Sequence, residues 1–237
     1  MHFIPRATYR QLLISINIIK SAYGSYARIF NNLIIISLVS YSLTISVKAD
    51  EGYVILALGD SLTAGYGLEE GNAFPHKLED ILNKSGIQAK VINGGVSGDT
   101  TAGGLSRLDW MMSSKPNLVV IELGANDGLR GLKPTVTRAN LAAILAQLNE
   151  RQVNVLLTGM LAPPNLGVEY EAEYNAIFPE LAKKFNVPLY PFFLTGVIDD
   201  PKFNQKDGIH PNADGVDVVV ANIFPYVVAA LEGKQHP

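Results

Sequence analysis

From residue 50 to the end of the chain, short β-branched runs alternate with longer segments of helical period. That alternation admits little besides a parallel sheet covered by helices on both faces. The expected strands are residues 53–58, 89–92, 118–123, 153–158 and a short 187–190. Helices are expected over 74–83, 100–112, 134–151, 170–184 and 213–231. No internal repeat or Pro/Gly linker interrupts the series, so residues 50–237 read as one domain with right-handed crossovers. Apolar residues make up 48% of the chain, enough for a real core, and this excludes a disordered or fibrous protein.

The first 49 residues read as an address. They hold five basic side chains (Arg6, Arg10, Lys20, Arg28, Lys48) and no acidic one. A mostly apolar run of fifteen residues, 33–47, follows, and Val47-Lys48-Ala49 puts small residues where a signal peptidase reads them. Residues 1–49 are therefore expected to be a signal peptide cleaved after Ala49, delivering a periplasmic or secreted domain. An uncleaved anchor is the alternative, but the run falls short of the roughly 20 apolar residues a spanning helix needs. No stable membrane anchor is expected after processing. The remaining 188 residues carry 14 basic and 22 acidic groups, and so acidic a domain is not a nucleic-acid partner. With no cysteine, disulfides, thiolate metal sites and a cysteine nucleophile are all excluded.

In an open α/β sheet the ligand site forms outside the carboxyl ends of the strands, and each such end here is followed by reactive or donor groups. The first strand runs into Gly59-Asp60-Ser61-Leu62. The second is followed by Gly94-Gly95-Val96-Ser97-Gly98-Asp99, the third by Gly124-Ala125-Asn126-Asp127, and the last loop carries Asp207-Gly208-Ile209-His210-Pro211. Ser61 is a weak nucleophile alone and needs a base; His210 can take its proton, and Asp207, three residues earlier, can hold the imidazole. The negative oxygen of a tetrahedral intermediate needs donors, and the Ser61 N–H, the Gly98 N–H and the Asn126 side-chain amide are candidates. Plainer readings exist for each residue. Ser61 can cap a helix, Asp207 can start a turn, His210 can be a loop residue, and Gly98 and Asn126 can be turn residues. Asp60 and Asp127 are read as structural, and His76 and His236 as surface residues.

These blocks, in order and placement, resemble those of the SGNH or GDSL hydrolases, whose name lists Ser, Gly, Asn and His. Ser97-Gly98-Asp99-Thr100, Asn126 to Gly131 and Asp207 to Asn212 are most similar to the periplasmic thioesterase I, arylesterase and lysophospholipase branch. The resemblance implies a three-layer αβα sandwich with a central, mostly parallel five-stranded sheet, flavodoxin-like. It also implies an acyl-serine mechanism with a Ser-His-Asp triad, no metal or other cofactor, and hydrolysis of aryl esters, acyl-CoA and lysophospholipid. A loop after Asn126 that moves when an acyl chain binds is implied too. Ala125 stands where close relatives often have Gly, a change that leaves the Asn donor intact.

Substrate contacts are assigned to Leu129, Leu132, Pro163 and Leu166, apolar residues in the loops after the third and fourth strands. They favour medium acyl chains over acetylated sugars, whose sites want more aromatic side chains. The expected partner is a small-molecule acyl ester or thioester, and the expected state is a monomer. An O-acyl transferase or a carbohydrate deacetylase on the same fold is the alternative, and a non-catalytic binding module a remote one. Gly65-Tyr66-Gly67 to Gly71 starts like a dinucleotide fingerprint, but its third glycine falls one place late and no helix opens at once.

Overall fold

A computed structural model of the chain describes residues 52–198 and 200–235. The expected signal segment and His236 lie outside the described residues. In chain order the elements are β1 (Tyr53–Gly59), α1 (Ser61–Ala64), α2 (Phe74–Lys84), β2 (Ala89–Gly95), α3 (Thr101–Met111), β3 (Leu118–Glu122), α4 (Ala125–Leu129), α5 (Pro134–Glu150), β4 (Asn154–Thr158), α6 (Val168–Asn175), α7 (Ile177–Phe185), β5 (Leu189–Tyr190) and α8 (Ala213–Leu231), with short 3₁₀ turns between some of them.

The strands form one sheet in the order β2-β1-β3-β4-β5, with every pair parallel. The first crossover leads to one edge and the later ones to the other, so the connection reverses direction beside β1. The expected flavodoxin-like three-layer architecture is what forms. The middle strands are apolar on both faces because both are covered: Ile55 to Leu58 and Leu118 to Ile121 are completely buried. Each such Val, Leu or Ile side chain contributes about 2 kcal/mol of burial. Helices α2 and α8 pack together on one face, and α3, α5 and α7 on the other.

Where expectation and structure differ, local chemistry accounts for it. The single helix expected over 170–184 is two, α6 and α7, separated at Ala176. Pro179 in the first turn of α7 has no N–H to carry the α6 ladder across. Val153 and Val187 are not strand residues; their N–H groups close helix ends, bonding to Leu148 O and Ala182 O. Helices α1 and α4, four and five residues long, are too short to show a period. Helix α1 is capped by Asp60, whose carboxylate accepts from Leu62 N, so Ser61 is the first residue of the helix and not its cap.

Parallel strands give the sheet two unlike edges. All the expected site loops leave the carboxyl edge. Helix α8 runs back from that edge, and at the far side Gln235 Nε2 donates to Asn186 O, just ahead of β5. Gly52, which leads into β1, lies at the same far side.

Candidate active site

The nucleophile turn is built around the end of β1. Gly59 pairs with Gly95 on one side and Glu122 on the other, and a Cβ on Gly59 would overlap Thr63 Oγ1 and Glu122 Oε2, so only glycine lets the chain turn into α1 here. Asp60 follows, fully buried, and Ser61 emerges half-exposed at the start of α1.

The last loop delivers its groups from the other end of the chain. Asp207 Oδ1 accepts the backbone N–H groups of Ile209 (2.9 Å) and His210 (3.0 Å), and the turn is completed by Gly208 at φ +71°. That leaves Oδ2 to meet His210 Nδ1 at 2.8 Å. His210 Nε2 lies 2.9 Å from Ser61 Oγ, across 149 residues of chain. An ionised carboxylate only accepts, so Nδ1 carries the ring proton and Nε2 is free to accept from the serine hydroxyl. The backbone donors of His210 and Ile209, then the imidazole, hold the Asp207 carboxyl down at about 2. The Tyr66 ring lies against the imidazole with centroids 4.7 Å apart, and Gln205 ties the two segments by donating to Tyr66 O (2.7 Å) and Pro211 O (3.0 Å).

Gly98 sits in the loop after β2 at φ +84°, a left-handed conformation that favours glycine. The loop is fastened to the nucleophile turn by Val96 N donating to Gly59 O (3.1 Å). Arg107 adds a fork, with Nε on Asp99 Oδ2 (2.7 Å), Nη1 on Gly94 O (2.7 Å) and Nη2 on Gly59 O (2.8 Å). Among the described residues, the N–H groups of Ser61 and Gly98 have no hydrogen-bond partner.

Asn126 is the second residue of α4, just after β3, and its Nδ2 donates to Asp60 Oδ2 at 3.0 Å. Asp127, beside it, is buried and accepts from Thr101 N (2.8 Å), Thr101 Oγ1 (2.5 Å) and Thr137 Oγ1 (3.1 Å), which fits the structural reading of that residue. The loop is pinned further by Tyr174 Oη to Gly124 O (2.6 Å), Tyr170 Oη to Leu132 O (2.8 Å) and Arg130 Nη2 to Gly98 O (2.7 Å). Leu129 is exposed, while Leu132, Pro163 and Leu166 are half-buried, with Pro163 beside Gly128 and Leu166 beside Gly131. These four therefore gather on the α4 side of the edge and are not part of the hydrogen-bonded group around Ser61.

Sequence reasoning missed Glu122, whose Oε2 accepts from Asp60 N (3.2 Å) and Thr63 Oγ1 (2.7 Å) while Oε1 is buried without a partner. Burial, with Asp60 close by, pushes its carboxyl well above the usual range. The signal was there: one acidic residue ending an otherwise apolar buried strand. His76, in the first turn of α2, is part-exposed and lies 3.7 Å from Glu70. Among the described residues no cluster of three or more His, Cys, Asp or Glu side chains is arranged to hold a metal. Chemically, a hydroxyl, an imidazole and a carboxylate in line, with unpaired N–H groups nearby, can attack a carbonyl and hold the oxygen that becomes charged.

Residues 57–218 match the profile of the GDSL-like lipase/acylhydrolase family. An arylesterase from Vibrio mimicus is 41% identical over 171 residues, 72% of this chain and 86% of that protein. A protein of Escherichia coli K12 named thioesterase 1/protease 1/lysophospholipase L1 is 40% identical over 175 residues, 73% of this chain and 83% of the other. Among solved structures, the SGNH-hydrolase family esterase AlinE4 superposes with a TM-score of 0.65 at 51% identity, covering 76% of this chain and 97% of AlinE4. A sheet of this order, with the four sequence blocks at its carboxyl edge, agrees with those likenesses, and the chain belongs to the GDSL-like lipase/acylhydrolase family as an enzyme of the SGNH hydrolase group.

Proposed function

We propose that the protein is a serine esterase that hydrolyses acyl esters and thioesters through an acyl-serine intermediate, with Ser61, His210 and Asp207 as its triad. The observation that carries this reading is the unbroken line of contacts, 2.8 Å from Asp207 to His210 and 2.9 Å from His210 to Ser61. Ser61 Oγ attacks the acyl carbon as its proton passes to His210 Nε2, and the carbonyl electron pair moves onto oxygen. The Ser61 and Gly98 N–H groups and the Asn126 amide hold that oxyanion, each donor worth about 3 kcal/mol. Collapse expels the alkoxide or thiolate, which takes the proton from His210. Water, deprotonated by the same imidazole, then releases the acid.

The exposed side chain of Leu129, with Leu132, Pro163 and Leu166 beside it, supports an acyl chain of medium length as the group bound. The leader supports export, with the mature chain beginning at Asp50 outside the inner membrane. The test is hydrolysis of p-nitrophenyl butyrate. Wild type releases p-nitrophenol and forms a stoichiometric covalent adduct on Ser61 with a fluorophosphonate, whereas Ser61→Ala stays folded and loses at least about 10³-fold in kcat. Equal activity in both proteins sinks the proposal. Butyryl, octanoyl and palmitoyl esters, acyl-CoA, lysophospholipid and acetylated sugar, run side by side, rank the substrate classes. Supplying an alcohol acceptor separates hydrolysis from acyl transfer.

A further inference from the structure

Asp60 caps α1 through one carboxylate oxygen and meets Asn126 through the other. Oδ1 accepts from Leu62 N at 3.0 Å and Oδ2 from Asn126 Nδ2 at 3.0 Å. Capping alone does not call for aspartate, since Asn or Ser caps a helix about as well without putting a carboxylate beside the place where an oxyanion forms. What only a carboxylate of this size offers is two separate acceptors. An asparagine here has one acceptor oxygen, and its NH₂ would face one of the two donors.

We infer that Asp60 is a positioning residue for the oxyanion hole: it takes one N–H of the Asn126 amide and thereby aims the other toward the carbonyl oxygen bound at Ser61. This rests on the proposed oxyanion role of Asn126. An amide NH₂ has two hydrogens in one plane, so fixing one fixes the direction of the second. Released from Asp60, the amide can turn its own oxygen toward the oxyanion, where it repels. The anchor is itself held. Glu122 Oε2 accepts Asp60 N at 3.2 Å, and the Gly59–Thr63 turn closes around that carboxyl. Asp60 is thus fully buried and tied at three points, two through its carboxylate and one through its backbone N–H, in a site where Glu122, His210 and Asp99 are the charged or titratable neighbours. Burial raises its carboxyl to about 6, with the Leu62 and Asn126 bonds pulling the other way. A carboxylate kept at that cost beside the nucleophile fits a demand for two acceptors.

The test is steady-state hydrolysis of p-nitrophenyl butyrate by wild type, Asp60→Asn, Asn126→Ala and the double variant, with Asp60→Ser as a variant that keeps a cap for α1 but cannot reach Asn126. Asn126→Ala is expected to lower kcat about 100-fold with KM little changed. Asp60→Asn and Asp60→Ser are expected to lower kcat on the order of 10- to 100-fold, again with KM little changed. The double variant should be no slower than Asn126→Ala, because Asp60 acts through that amide. Losses that multiply in the double variant, or an Asp60→Ser enzyme as fast as wild type beside a slow Asn126→Ala, overturn this inference and leave the oxyanion assignment standing. An Asn126→Ala enzyme as fast as wild type overturns the assignment, and the inference with it.

Discussion

Asp207 divides its two oxygens between two tasks, one for the backbone turn and one for the imidazole, and Asp60 divides its own between a helix cap and an amide. Their protonation nevertheless shifts in opposite directions. The Asp207 carboxyl is held at about 2 against an ordinary 3.8, so the unfolded chain binds a proton before the folded one does. The stability it contributes is full above the ordinary value and is lost as pH falls toward about 2. Asp60, raised to about 6, works the other way: the folded state keeps a proton the unfolded chain has released, so its contribution declines as pH rises through the interval from 3.8 to about 6. Urea unfolding of wild type and Asp207→Asn between pH 7 and pH 2 should show a shallower acid loss in the variant, confined to pH below about 4. Parallel curves for the two proteins would contradict this. At the same scale, the sequence carried Ser61, Asp207 and His210 as types at telling positions. It did not carry Glu122 or the Arg107 fork, because a buried acid in a strand and a basic residue on a helix declare no partner until the chain is folded.

Helix α4 is the element on which the proposed site depends most, and its five residues are too few to hold themselves in place. Its position comes from outside: Asp127 on the start of α3, the Tyr174 and Tyr170 hydroxyls on Gly124 and Leu132, and Arg130 on Gly98. Tyr174 is completely buried, and burial pushes its phenol above the ordinary value, so it stays a donor to the Gly124 carbonyl. Tyr174→Phe should therefore cost about 1 kcal/mol of unfolding free energy, read as a lower urea midpoint at unchanged slope, because the buried Gly124 carbonyl loses one of its two donors and keeps only the Gly128 N–H. Elements of this length are what patterns miss: alternation located all five strands to within three residues and most of the long helices, while α1, α4 and the break between α6 and α7 depend on tertiary contacts or on a single proline.

Across the whole molecule, the sheet order brings four loops from distant parts of the chain to one edge, so the fold class and the placement of the candidate site were legible together. Their mutual distances were not, since the contact between Ser61 and His210 is fixed by the packing of α8 and the Gln205 bridge rather than by spacing. Because the proposed chemistry uses only the Ser61 hydroxyl, the His210 imidazole, the Asp207 carboxylate and N–H donors, hydrolysis of p-nitrophenyl butyrate should be unchanged after extended treatment with EDTA. Loss of activity restored by a specific divalent ion would contradict that. The two unlike edges also bear on handling: Gly52 and Gln235 both lie on the side remote from Ser61. A fusion partner, affinity tag or solid support joined downstream of Gln235 should leave Ser61 open to even a bulky ester.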